Sequence, residues 1–94
     1  MLFIRLCIDR PYMRELREEN RTEHRAYLQS STVAKLIQAG PLLNDNGSGD
    51  NIASFMVIEA DSLEAAQKYH DDDPFTRAGI YEKSYIHEWE KHFG

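Results

Sequence analysis

Apolar side chains recur at every second position at the start of the chain: Leu2, Ile4, Leu6 and Ile8. The positions between them carry a mixed set: Phe3, Arg5, Cys7 and Asp9. A period of two is typical of a β-strand, here with one fully apolar face. The pattern predicts a first strand over Leu2 to Ile8, which Asp9-Arg10-Pro11 ends.

A helical pattern follows this strand. From about Tyr12 to Ala39, the clearest apolar stripe at helical spacing is made of Ala26, Val33, Ala34 and Ile37. Either Asn20 or Thr22 is suited to cap a second piece, so the segment is one helix or two in succession. Gly40 and Pro41 are expected to end the helix.

The middle of the chain predicts two more strands separated by a loop. Pro41 to Leu43 is short enough for an edge strand, and Asn44 to Asn51 is dense in turn residues. Ile52 to Ala60 is apolar on both faces, which is typical of a central strand. We therefore expect it inside the sheet.

The last third predicts a helix, a short helical turn and a final strand. Asp61 or Ser62 is expected to cap a helix that runs to about His70. Pro74 to Ala78 adds one turn before Gly79. Ile80 to Trp89 then reads as a strand with one aromatic face, formed by Tyr81, Tyr85 and Trp89.

The element order is strand, helix, strand, strand, helix, strand (βαββαβ), within one domain spanning residues 1–94. This is the α+β, ferredoxin-like split βαβ pattern, in which two helices cover one face of an antiparallel sheet. The apolar residues left on the other face predict a covering partner. Because twofold homodimers are the commonest assembly, we expect a second copy of the chain.

Composition narrows the functional classes. Apolar residues make up 41% and charged residues 29% of the chain, and the formal net charge is −5. Nucleic acid is an unexpected partner, because the arginines near the start alternate with glutamates and form no basic patch. No run approaches a membrane span, and the apolar start is too short for a secretion signal. The single cysteine, Cys7, allows no internal disulfide and favours the cytoplasm.

The strongest chemical candidate is a histidine–aspartate pair. Pro74 forbids the helical conformation to Asp73, so this carboxylate lies at an element junction. There it either caps the next helix or orients an imidazole. His24, on the first helix, flanks the apolar stripe, so it is either a boundary histidine or a group that exchanges a proton near pH 7.

Further candidates are weaker. Ser54 shares a strand face with Met56 and is either a substrate contact or a hydrogen-bonded bystander. Arg5 is either a rim arginine or a ligand for an anionic or phenolate oxygen. His70-Asp71-Asp72 has a spacing compatible with a metal, but such spacing is common by chance. No cofactor fingerprint or strong metal cluster is present, so no cofactor and no metal is expected.

Several motifs resemble the YCII (YciI-like) domain family. They occur in the family's order over nearly the whole chain: His24 with Leu28, Gly40-Pro41-Leu42, the segment from Ile58 to Ala66, Asp73-Pro74-Phe75, and Ala78 to Glu82. The resemblance implies a dimeric α/β barrel with a histidine–aspartate pocket. It assigns His24 and Asp73 to that pair and Ser54 to a serine often found near it.

Two functions follow from the residues and the resemblance. The first is a small cofactor-independent enzyme in which His24, oriented by Asp73, removes a proton from a hydroxylated or aromatic metabolite. Isomerisation or elimination would follow, with Ser54 and Arg5 positioning the substrate. The family includes a dehydrochlorinase of a chlorinated hydroxyhydroquinone. The second is a non-catalytic dimer that binds a small molecule in the same pocket.

Overall fold

Four strands and three helices make up the computed structural model, which describes residues 1–94. The strands are β1 (Leu2–Asp9), β2 (Lys35–Leu43), β3 (Asn51–Glu59) and β4 (Tyr81–Glu88). The helices are α1 (Arg14–Ser30), α2 (Leu63–Asp71) and α3 (Pro74–Arg77). None of the helices is long and apolar enough to cross a membrane.

The sheet has the strand order β2-β3-β1-β4, and every neighbouring pair is antiparallel. Strand β3 lies between β1 and β2, which gives the split βαβ arrangement. The predicted α+β, ferredoxin-like fold and the central position of β3 are therefore confirmed.

One face of the sheet carries the helices. A core of eight buried residues joins both long helices to it: Phe3, Leu28, Ala34, Met56, Ile58, Ala60, Ala66 and Tyr69. Cys7, Phe75, Ile80 and Tyr81 form a second buried cluster beneath α3. Arg5 lies opposite Met56 on β3 and Ile86 on β4, so it points into this helix-covered side.

The prediction of a helix as far as Ala39 was wrong. Helix α1 ends at Ser30 without a break at Asn20, and Lys35–Leu43 is a strand. Ser31 adopts extended backbone angles, and its hydroxyl accepts a hydrogen bond from the Val33 N–H. Side chains of this type compete with helical hydrogen bonding, and the β-branched Thr32 and Val33 favour the strand that follows.

The prediction that Tyr81 and Tyr85 share one face was also wrong. Tyr81 is buried with Cys7 and Phe75 on the helix side, whereas Tyr85 is 45% exposed on the opposite face. The pairing of β1 with β4 shifts between Ile8 and Asp9. Such an irregularity inserts an extra residue and reverses the alternation of faces.

Candidate functional site

Asp73 is fixed by the backbone at the start of α3. It is the N-cap residue, with φ −64° and ψ 129°, and Pro74 occupies the first turn. Its Oδ1 accepts a hydrogen bond from the Phe75 N–H at 2.9 Å. Capping and the conformational restriction before proline together hold the fully buried carboxylate in one orientation.

His24 meets this carboxylate from α1. Its Nδ1 lies 2.6 Å from Asp73 Oδ1, so the predicted contact between the two side chains is present. The imidazole also stacks on the Phe75 ring, with centroids 3.7 Å apart and planes 1° from parallel. An ionised carboxylate only accepts hydrogen bonds, so Nδ1 carries the proton and Nε2 of the neutral ring is free to accept one.

Arg5 lies behind Asp73 and away from the cleft described below. It is fully buried, and its Nη2 donates to Asp73 Oδ2 at 2.8 Å. Its other groups are also occupied, since Nε donates to His70 Nδ1 at 2.9 Å and Nη1 approaches the Met56 sulfur. The sequence suggested a rim arginine or a substrate contact; in the structure, Arg5 supports the carboxylate from inside the protein.

These contacts determine the charge states around Asp73. Burial raises the pKa of the Asp73 carboxyl, but its hydrogen bond with His24 and the charge of Arg5 outweigh burial, so the net pKa lies below the usual value. Burial, together with the charge of Arg5, lowers the pKa of His70 to about 4. Near pH 7 the centre therefore contains an ionised Asp73 and a neutral His70.

Ser54 lies on β3 and is buried against an arginine that the sequence analysis did not single out. The Ser54 hydroxyl accepts a hydrogen bond from Arg17 Nη2 at 2.9 Å. Arg17 in turn donates to both carboxylate oxygens of Asp9, at 2.6 and 2.8 Å. The available sequence signal was spacing, because Arg17 precedes His24 by seven residues, two turns of a helix on the same face.

A cleft of about 940 Å³ opens between α1 and the uncovered part of β2. Its lining includes His24, Arg17, Ser54, Met56 and Phe75, whereas Arg5 and Asp73 do not line it. The structure thus brings His24 and Ser54 to the cleft wall, with Asp73 immediately behind His24. A ligand in this cleft has access to the imidazole.

The possible metal ligands at the end of α2 do not converge. His70 points inward to Arg5, while Asp71 accepts a hydrogen bond from Gln67. Asp72 pairs with Lys68 and Arg77 at the surface. No group of three or more histidine, cysteine, aspartate or glutamate side chains is arranged to hold a metal ion.

Comparison with known proteins gives close relatives over the full length. Protein YciI of Escherichia coli O6:H1 and Protein YciI of Shigella flexneri are each 35% identical to the chain, covering 99% of it and all of the relative. A solved structure of 5-chloro-2-hydroxyhydroquinone dehydrochlorinase from Burkholderia phenoliruptrix AC1100, in complex with 2,5-dihydroxybenzoquinone, superposes with a TM-score of 0.87. It is 30% identical, and the alignment covers 98% of this chain and 96% of that one. The YCII-related domain model matches residues 1–90, and the chain belongs to that family.

Proposed function

We propose that this protein is a small cofactor-independent enzyme that uses His24 as a general base on a hydroxylated ring. The observation that carries the proposal is the 2.6 Å contact between His24 Nδ1 and the buried Asp73, on the wall of an open cleft. A base needs a lone pair facing the substrate and a partner that stabilises its protonated form. His24 Nε2 and the Asp73 carboxylate meet these two requirements.

The chemistry we favour is proton removal followed by isomerisation or by loss of a leaving group. In a dehydrochlorination, the ring reacts as its keto tautomer, in which the chlorine-bearing carbon is tetrahedral and carries a hydrogen. His24 Nε2 takes a proton from a ring hydroxyl, and the freed pair forms a carbonyl. The displaced ring π pair then forms a new bond to the chlorine-bearing carbon, and chloride departs with the carbon–chlorine pair. The step is balanced without an external oxidant. Asp73 stabilises the imidazolium that forms, and Arg5 keeps Asp73 ionised.

Similarity to the dehydrochlorinase supports this choice of reaction class. That relative is 30% identical over nearly the whole of both chains, and its structure contains a dihydroxybenzoquinone. We accordingly propose small hydroxylated or quinoid rings as substrates, and we place the activity in the cytoplasm, where a lone buried cysteine stays reduced.

Chloride release from 5-chloro-2-hydroxyhydroquinone tests the proposal directly. The purified protein should accelerate release above the spontaneous rate, in proportion to enzyme concentration and without added metal or cofactor. A rate of chloride release equal to that in buffer without protein would reject this substrate class. Binding of the quinone without turnover would instead favour the alternative, a non-catalytic dimer that binds a small metabolite.

We also propose that the protein is a homodimer joined through the helix-free face of the sheet. Phe55, Leu42 and Tyr85 lie on this face at 38%, 44% and 45% exposure, in rows with Leu6 and Ile8 of β1. An apolar surface of this kind favours a partner. Pairing two such faces would give the dimeric α/β barrel.

Light scattering at micromolar concentration should give about twice the chain mass of 10.9 kDa. Phe55→Lys should shift the particle to the monomer, because it places a charge at the centre of the proposed interface. Lys68→Glu, on the exposed side of α2, is the control and should leave the mass unchanged. A wild-type monomer would rule out this assembly.

A further inference from the structure

The lining of the cleft contains more cationic than anionic side chains, although the protein as a whole is acidic. The chain carries a formal net charge of −5. The cleft, however, is lined by four arginine or lysine side chains, Arg17, Arg21, Arg25 and Lys35, against two carboxylates, Glu59 and Asp61. Because Arg17 and Arg21 also pair with Asp9 and Glu18, an anion would be held in the cleft by oriented donors more than by net charge.

Arg17 is the cation that is built into the wall. It is only 6% exposed, and two hydrogen bonds to Asp9 fix its guanidinium plane. Nε and Nη2 are committed to Asp9 and Ser54, while Nη1 has no partner in the protein and is not fully buried. An arginine held in this way offers a preoriented donor edge for an oxyanion.

The Ser54 hydroxyl continues this donor surface. The Ser54 oxygen accepts from Arg17, so its own O–H is free to donate.

The Phe75 ring contacts both Arg17 and the His24 imidazole. The Arg17 guanidinium carbon lies 5.1 Å from the centroid of the Phe75 ring, and His24 stacks on the same ring at 3.7 Å. Arg17 and His24 also lie on one face of α1, about 10 Å apart along the helix axis. A single aromatic ring with its substituents can span much of this distance.

We propose that Arg17 and Ser54 form a subsite for a deprotonated ring oxygen, so that the ligand of the cleft is a planar phenolate or enolate anion. The ionised oxygen binds at Arg17 and Ser54, and the reacting edge of the ring faces His24. This inference rests on the proposed function for the role of His24, but the subsite itself is defined by binding alone. In this proposal Arg17, and not Arg5, binds the anionic ring oxygen.

Calorimetric titration at pH 7.5 tests the subsite with three probes. These are 2,5-dihydroxybenzoquinone, which is ionised at this pH, hydroquinone, which is neutral, and inorganic phosphate. The wild-type protein should bind the ionised quinone at least about tenfold more tightly than either of the others, the scale of one charge-assisted hydrogen bond. Equal affinity for hydroquinone, or tighter binding of phosphate, would overturn the proposal.

Two variants and one control locate the binding group. Arg17→Met is combined with Asp9→Asn, because removing the arginine alone would leave a buried carboxylate without its partner. The double variant should lose at least about tenfold in affinity for the ionised quinone and little for hydroquinone. Ser54→Ala, which leaves both charges in place, should weaken the same ligand less. Arg14→Met removes a cation from α1 outside the cleft, a larger change in net charge than that of the double variant, and should change affinity by less than about threefold.

A retained affinity in the double variant, or an equal loss in Arg14→Met, would show that no defined subsite exists at Arg17. His24→Gln separates this outcome from a failure of the proposed function. If it binds the quinone like the wild type but releases no chloride, subsite and base are distinct. If the wild type binds through Arg17 yet never turns over, the subsite stands and the enzymatic proposal falls.

Discussion

Replacing His24 by alanine is expected to slow chloride release from 5-chloro-2-hydroxyhydroquinone by about 10²–10⁴-fold, the usual contribution of a positioned general base. The substitution removes the group that accepts the proton but leaves Asp73 bonded to Arg5 and to the Phe75 N–H. The fold, followed by circular dichroism, should therefore survive. His24→Asn should be equally slow, because an amide cannot accept the proton.

His92→Ala is the matched control for this experiment. His92 lies in the C-terminal tail, exposed to solvent and far in sequence from the candidate site. Its replacement should leave the rate within twofold of the wild type. A His24→Ala protein that retains wild-type turnover would refute the role of His24 as base.

Removing Arg5 is expected to have the largest effect on stability. Arg5→Met takes away the cation that faces Asp73 Oδ2 and leaves a buried carboxylate with His24 and one backbone N–H as partners. Breaking a buried ion pair on one side typically costs about 3–5 kcal/mol. This is a large part of the free energy of unfolding of a small domain. Chemical denaturation followed by circular dichroism measures the loss.

Two comparisons make this measurement specific. Arg5→Met combined with Asp73→Asn should be destabilised by less than the sum of the single changes, because no uncompensated charge remains. Arg77→Met, which removes a surface arginine that pairs with Asp72, should stay close to the wild type. If Arg5→Met unfolds at the same denaturant concentration as Arg77→Met, the buried pair of Arg5 and Asp73 contributes little to stability.

The fold was largely predictable because strong local signals coincide with it. The alternation in β1 and the serine cap of α2 act within a few residues. The end of α1 was missed because Val33, Ala34 and Ile37 also satisfy a helical spacing. Only pairing with β3 makes Lys35–Leu43 a strand, and that pairing is a long-range contact.

The candidate site was partly predictable for a similar reason. The Asp73-Pro74 junction restricts the backbone locally, so the position of one carboxylate could be inferred from sequence. How deeply each arginine side chain is buried could not be inferred, because its burial depends on which charged partner the fold places beside it. Arg5 is buried because it donates hydrogen bonds to Asp73 and His70, which lie on other elements. Arg17 stays at the wall of the cleft because it donates to Asp9.

The proposed chemistry depends on the tautomer of His24, which Asp73 holds with Nε2 unprotonated and available to the cleft. Nitrogen-15 NMR of the histidine-labelled protein measures this directly, with the His24 signals assigned by comparison with His24→Gln. In the neutral imidazole, we expect a proton on Nδ1 and none on Nε2. The opposite tautomer, with Nε2 protonated and Nδ1 free, would contradict it, because such a ring has no lone pair to offer a ligand in the cleft.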